Sequence, residues 1–107
     1  MTIHVKDSKA GYGLRLEGEA GIEDAIELRE ALVAGLGSGR GLNVHLGAMT
    51  RADVTVLQLL WVARREASHG GTAFRIEGEV RPEIRSAFEE VGLDTFVAEA
   101  AHMVEAQ

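Results

Sequence analysis

The chain has 107 residues, 46% of them hydrophobic and 26% charged, a balance that excludes disorder over its whole length and suits one hydrophobic core rather than two. Seventeen acidic side chains against eleven basic ones give a formal net charge of -6, which opposes attraction to nucleic acid or anionic lipid. Cysteine is absent, so disulfides, thiolate nucleophiles and thiolate metal sites are excluded, and a reducing compartment fits.

We read residues 1–107 as a single domain. The opening MTIHVKDSK lacks the apolar core of a secretory signal. The most apolar stretch, Val54 to Ala63, is interrupted by Gln58 and falls well short of the roughly 18 residues a membrane span needs. A cytoplasmic protein with no direct membrane insertion is expected.

In chain order, Ile3/Val5 alternate with polar neighbours, as do Tyr12/Leu14/Leu16. These predict two strands, joined as an antiparallel hairpin through Asp7 to Gly11. Ile22 to about Ala34 follows a helical period. Leu42/Val44/Leu46 predict a third strand, Val54 to His69 a second helix, and Phe74/Ile76 a fourth strand. The third helix spans Pro82 to Val91, with proline in the first turn, apolar residues at Ile84, Ala87, Phe88 and Val91, and Gly92 as its stop. A short segment from Asp94 to Val97 and a terminal helix from Ala98 to Glu105 complete the order.

Strands separated by helices run parallel through right-handed crossovers. Strands buried on both faces would be almost continuously apolar, whereas each of these is polar at every second place. One face of the sheet therefore meets water, which argues against a doubly wound dinucleotide-binding fold and for helices stacked mainly on one face.

The second helix is too apolar for that arrangement. Eight of the ten residues from Val54 to Ala63 are apolar, and at about 100° per residue they occupy nearly the whole circumference. Val56, Leu60, Ala63 and Ala67 form a core stripe, while Val54 and Trp61 point almost opposite. Either neighbouring helices cover the flanks, or an apolar surface is left for a partner.

The segment opening this helix reads Met49-Thr50-Arg51-Ala52-Asp53-Val54-Thr55-Val56-Leu57. With the order of elements, it resembles the STAS domains (sulfate transporter and anti-sigma-factor antagonist), especially the small bacterial anti-anti-sigma factors. Those carry a leucine-threonine pair, two variable residues, then Asp-Ser-Ser-Gly-Leu at a helix start. Leu16-Glu17-Gly18-Glu19 looks like their second-strand signature, and Val91-Gly92-Leu93 with Phe96 like their late Gly-Leu turn, so the similarity runs over residues 3–97. The fold it implies is an α/β, STAS-like, four- to five-stranded mixed β-sheet with helices mainly packed on one face.

The resemblance also implies a function: a non-enzymatic, regulatory protein-interaction module that docks onto a kinase-type anti-sigma factor and is switched when that serine/threonine kinase phosphorylates it. Carried over by position, Thr55 is the phosphoacceptor candidate and Asp53 the family aspartate. Val54, Gln58, Trp61 and Arg65 become candidate contact residues. Val54 stands where the family has its first serine and Val56 where it has glycine, which places bulk beside the acceptor. The alternative implied role is a permanent accessory subunit, similar to the STAS component of bacterial lipid-transport ATPases, for which valines at these places suit a stable apolar interface. Independently of any family, Thr50 with Asp53 has the form of a capping box, and Asp53 by itself suits an N-cap.

Other chemistry finds little support. Gly35, Gly37, Gly39 and Gly41 alternate, but they lead from a helix into a strand, the reverse of a phosphate loop, and predict a flexible connection with a glycine cap. His4, His45, His69 and His102 fall in separate elements; Glu99 and His102 form one Glu-x-x-His pair where a carboxylate-bridged di-metal site needs two. No metal or cofactor is expected. Gly-x-Ser-x-Gly is missing, and the carboxylates Glu23, Asp24, Glu27 and Glu30 suit the start and outer side of the first helix. No residue pattern calls for an enzyme.

Overall fold

A computed structural model describes residues 1–92. Strands β1 (Thr2–Ser8) and β2 (Gly11–Ala20) form an antiparallel hairpin in which Val5 faces Leu14 and Ser8 faces Gly11. The turn is only Lys9 and Ala10, tighter than the sequence implies. A single 3-10 turn (Ile22–Asp24) then leads into α1 (Ala25–Gly37). There follow β3 (Leu42–His45), β4 (Met49–Ala52), α2 (Val54–His69), β5 (Phe74–Glu77) and α3 (Pro82–Glu90).

The sheet has five strands in the order β1-β2-β3-β5, with β4 also paired to β2. Except for the β1–β2 hairpin, all pairings are parallel. The predicted mixed α/β sheet is thus observed, and the sequence reading needs one correction. Met49–Ala52 is not merely a turn into the second helix but the strand β4. Four residues, of which only Met49 is buried, give too short an alternation to be recognised.

Strand β2 serves two partners in succession. Tyr12–Arg15 pairs with β3, and Gly18–Ala20 pairs with β4 across a register shift between Gly18 and Glu19. Gly18 has φ +89, a conformation that a Cβ disfavours, and bulges concentrate such residues. The bulge ends one ladder and starts the next.

The core lies on one side of the sheet. Leu14, Leu16, Leu42, Val44 and Met49 meet Leu28 and Leu32 of α1, Val56, Leu60, Ala63 and Ala67 of α2, and Ile84 and Phe88 of α3 in one buried cluster. The predicted stripe on α2 is entirely buried. On the opposite sheet face, His4, Arg15, His45 and Glu77 stand in register across four strands, all exposed or half-buried. His45 lies on this polar face as expected; its Nδ1 accepts the Gly47 N–H at 3.3 Å.

Three further details depart from the sequence reading. Val91 is the exposed residue after α3 rather than part of its buried face. The connection after α1 is capped by Ser38, whose Oγ donates to the Gly35 carbonyl at 2.7 Å. Arg40 ties the same loop to the first hairpin by donating to the Ser8 carbonyl at 2.8 Å and pairing with Asp7. A serine and an arginine thus fasten a loop whose glycines suggested flexibility. The predicted elements at 94–97 and 98–105, with Glu99 and His102, lie outside the described residues.

Candidate functional site at the start of α2

The β2–β4 ladder positions the start of α2. Beyond the last paired residues, Ala20 and Ala52, the Asp53 N–H donates to the Ala20 carbonyl at 2.8 Å. Asp53 has φ -69 and ψ 153, extended like most N-caps, and its Oδ2 accepts the Thr55 N–H at 2.9 Å. Its carbonyl accepts the amides of Val56 and Leu57 at 3.0 and 3.2 Å. Asp53 is therefore the N-cap. Thr50 is three residues away within β4 and exposed, so its sequence reading as part of the helix start through a capping box is corrected: the strand continues past it.

The candidate contact residues separate cleanly by exposure. Val54 retains 42% of its surface, and Gln58 and Arg65 are exposed. With Trp61 they recur at i, i+4, i+7 and i+11, a single stripe opposite the buried Val56–Leu60–Ala63–Ala67 side. Trp61 is half-buried, however, and packs on the core at its edge. The expectation that it points outward therefore holds only for part of the ring. The Arg65 guanidinium lies 5.6 Å from the ring centroid, within cation–π range. Thr55 is half-buried on the flank of the stripe and Val62 is 44% exposed.

Beside Val54 is an open depression of about 560 Å³ lined by Glu19, Gly21, Glu23, Arg51 and Asp53, among others. Three carboxylates and one guanidinium make this depression beside Val54 acidic. Glu19 and Arg51 become neighbours only through the β2–β4 pairing, in which they are register partners; Glu23, expected at the start of the first helix, lines the same depression. Exposed Ile22 and Ile26 escaped notice. Ile26 lies on α1 away from buried Leu28 and Leu32, whereas Ile22 belongs to the 3-10 turn that precedes the helix. Among the described residues, no group of three or more His, Asp or Glu side chains could hold a metal ion, and no helix is long and apolar enough to cross a membrane.

The fold and motif place the chain in a known class. The family model described as "Mlab, STAS domain" matches residues 3–105, and the chain belongs to the STAS domain family. Among solved structures, it is similar to the anti-sigma factor antagonist SpoIIAA in its unphosphorylated form: 14% identity over 82% of each chain, with a TM-score of 0.68. It is equally similar to the Bacillus cell fate determinant SpoIIAA in its phosphorylated form: 16% identity over 86% of this chain and 85% of that one, with a TM-score of 0.69. At these identities the likeness is one of fold. No curated protein matches the chain.

Proposed function

We propose that this STAS domain is a non-enzymatic docking module, anti-sigma factor antagonist-like, which binds a kinase-type anti-sigma partner in the cytoplasm through the start of α2 and is released by phosphorylation of Thr55. The observation that carries the reading is the setting of Thr55. Its hydroxyl-bearing residue is half-buried, follows an N-cap aspartate, and stands next to exposed Val54.

A phosphoryl group there adds about 1.5 to 2 negative charges. The helix N-terminus tolerates them, because its amides and dipole favour anions. Under a partner, the same charge lies two residues from Asp53 and has to be desolvated next to exposed Val54. Binding then suffers more than folding does. A loss of about 3 kcal/mol weakens a complex more than a hundredfold.

Incubation with the kinase encoded beside the gene and ATP, followed by intact mass, tests the switch. One added phosphoryl group that disappears in Thr55→Ala supports it. An unmodified chain that still binds the kinase removes the switch and leaves the docking.

The second reading is a permanent accessory subunit of a lipid-transport ATPase. Of the two valines that suit such a role, Val56 is fully buried in the core and only Val54 is exposed; with exposed Val62 it favours this reading, since a lasting interface gains from burying apolar area, about 25 cal/mol per Å² before association costs. Transporter genes next to this one, in place of sigma-factor and kinase genes, would support it.

A further inference from the structure

We propose that the chain self-associates as a weak twofold dimer in which β1 of one copy pairs antiparallel with β1 of another, joining two five-stranded sheets into one. What points there is the open edge of β1, which stands at the end of the strand order with β2 as its only strand partner among the described residues. The Tyr12 N–H donates to the Gly41 carbonyl just before β3 at 2.9 Å. Successive strand residues turn their backbone groups to opposite sides, so Gly13 and Arg15 turn theirs toward Lys6 and His4 of β1. Ile3, Val5 and Asp7 consequently turn their N–H and C=O groups away from the sheet, and such a row is a template for another strand. Its flank is apolar as well. Ile3 and Val5 stand opposite buried Leu16 and Leu14 on the helix side, yet Val5 retains 53% of its surface and Ile3 is half-buried.

The alternation along β1 selects a second copy and one register. Only outward-turned residues exchange ladder bonds, so Ile3, Val5 and Asp7 of the two copies face one another across the twofold axis. Centred on His4, the pairing sets Ile3 against the partner's Val5 and Val5 against the partner's Ile3, so both apolar side chains of the strand gain an apolar neighbour. On the open sheet face Thr2 meets the partner's Lys6, and His4 meets the partner's His4. Each His4 Nε2 lies 3.1 Å from Glu17 Oε2 of its own chain, which keeps a carboxylate beside each imidazole. The other registers are poorer. Centred on Val5, the strands set Ile3 against the partner's Asp7 and His4 against the partner's Lys6; centred on Lys6, they oppose two lysines, which is destabilising; centred on Ile3, they overlap over fewer residues. A single strand pair falls below the roughly 1,200 Å² of standard interfaces, so the dimer is expected only at high micromolar concentration.

Analytical ultracentrifugation of the full chain over a concentration series tests this without any kinase, so its outcome is independent of the role of Thr55. The expected result is a mass that doubles with concentration and remains monomeric in Val5→Lys, a change at an exposed position. Cross-linking reads the register. The chain has no cysteine, so a disulfide in a single-cysteine variant can only join two copies. In His4→Cys the two thiols face each other at a non-hydrogen-bonded pair, with Cα atoms about 4.5 Å apart, within disulfide reach. In Lys6→Cys they lie four residues apart along the strands, roughly 13 Å, beyond that reach. Mild oxidation should therefore yield covalent dimer in His4→Cys and little in Lys6→Cys. Circular dichroism checks the fold of each variant, and the cysteine readout stands without Val5→Lys. A single monomeric mass at every concentration overturns the proposal and leaves the edge to a strand of a different protein. Dimerisation unaffected by Val5→Lys overturns this edge, and equal cross-linking in the two cysteine variants overturns the register.

Discussion

Asp53 couples the strand to the helix: its N–H is held by Ala20, its side chain by the Thr55 amide, and its carbonyl by two further amides. Replacing it with alanine should cost about 1 kcal/mol, typical of a lost N-cap, and lower the melting temperature by about 4–8 °C. Asn caps equally well, so Asp53→Asn should melt close to the parent while removing the charge beside Thr55. Differential scanning calorimetry of both variants separates the cap from the carboxylate. Val54 discriminates between the two functional readings. It is exposed, so Val54→Ser should leave stability within about 0.5 kcal/mol. If the domain is a phosphorylation switch, the smaller neighbour should speed Thr55 modification, measured as an initial rate; if the interface is permanent, the same change should instead weaken the complex in a titration.

At the scale of elements, the sequence exposed most of the secondary structure because each element carries its period on several residues. The α2 core stripe and the Pro82 start of α3 are examples, and both are observed. Strand β4 was hidden for the opposite reason. It is four residues long and Met49 is its only buried side chain, so what makes it a strand is the vacant edge of β2 beyond the Gly18 bulge. That dependence makes a prediction. Gly18→Ala adds no clash, since the space around it is open, but it places a side chain at φ +89. A cost of about 1–2 kcal/mol is expected. Amide hydrogen exchange at Asp53 should accelerate more than at Val44, because the β2–β4 ladder is damaged and the β2–β3 ladder is not. Equal acceleration at both sites would show that the bulge has no local role.

Over the whole molecule, the helices share one face of the sheet, and everything apolar on that side converges on a single cluster. Phe88 is fully buried there, the largest such side chain, on a helix of only nine residues that has little stability of its own. Phe88→Ala should cost about 3–5 kcal/mol, a large part of the stability of a domain this size, and lower the melting temperature by at least about 12 °C. The chain's acidic balance is likewise uneven in space. Carboxylates gather around the start of α2, while the open sheet face mixes both signs along its His4–Arg15–His45–Glu77 row.

Composition and periodicity by themselves determined the fold class, the one-sided packing of the sheet, and the position of Asp53 and Thr55 at a helix start, because these follow from local spacing along the chain. They could not decide which of Asp53 and Thr50 caps the helix, how far Trp61 turns inward, or that Glu19 and Arg51 become neighbours. Each of those depends on β4 docking against β2 or on the rim of the core, contacts between residues far apart in sequence. Local spacing sets which way a side chain points from its own backbone; only the packing of other segments decides whether anything covers it.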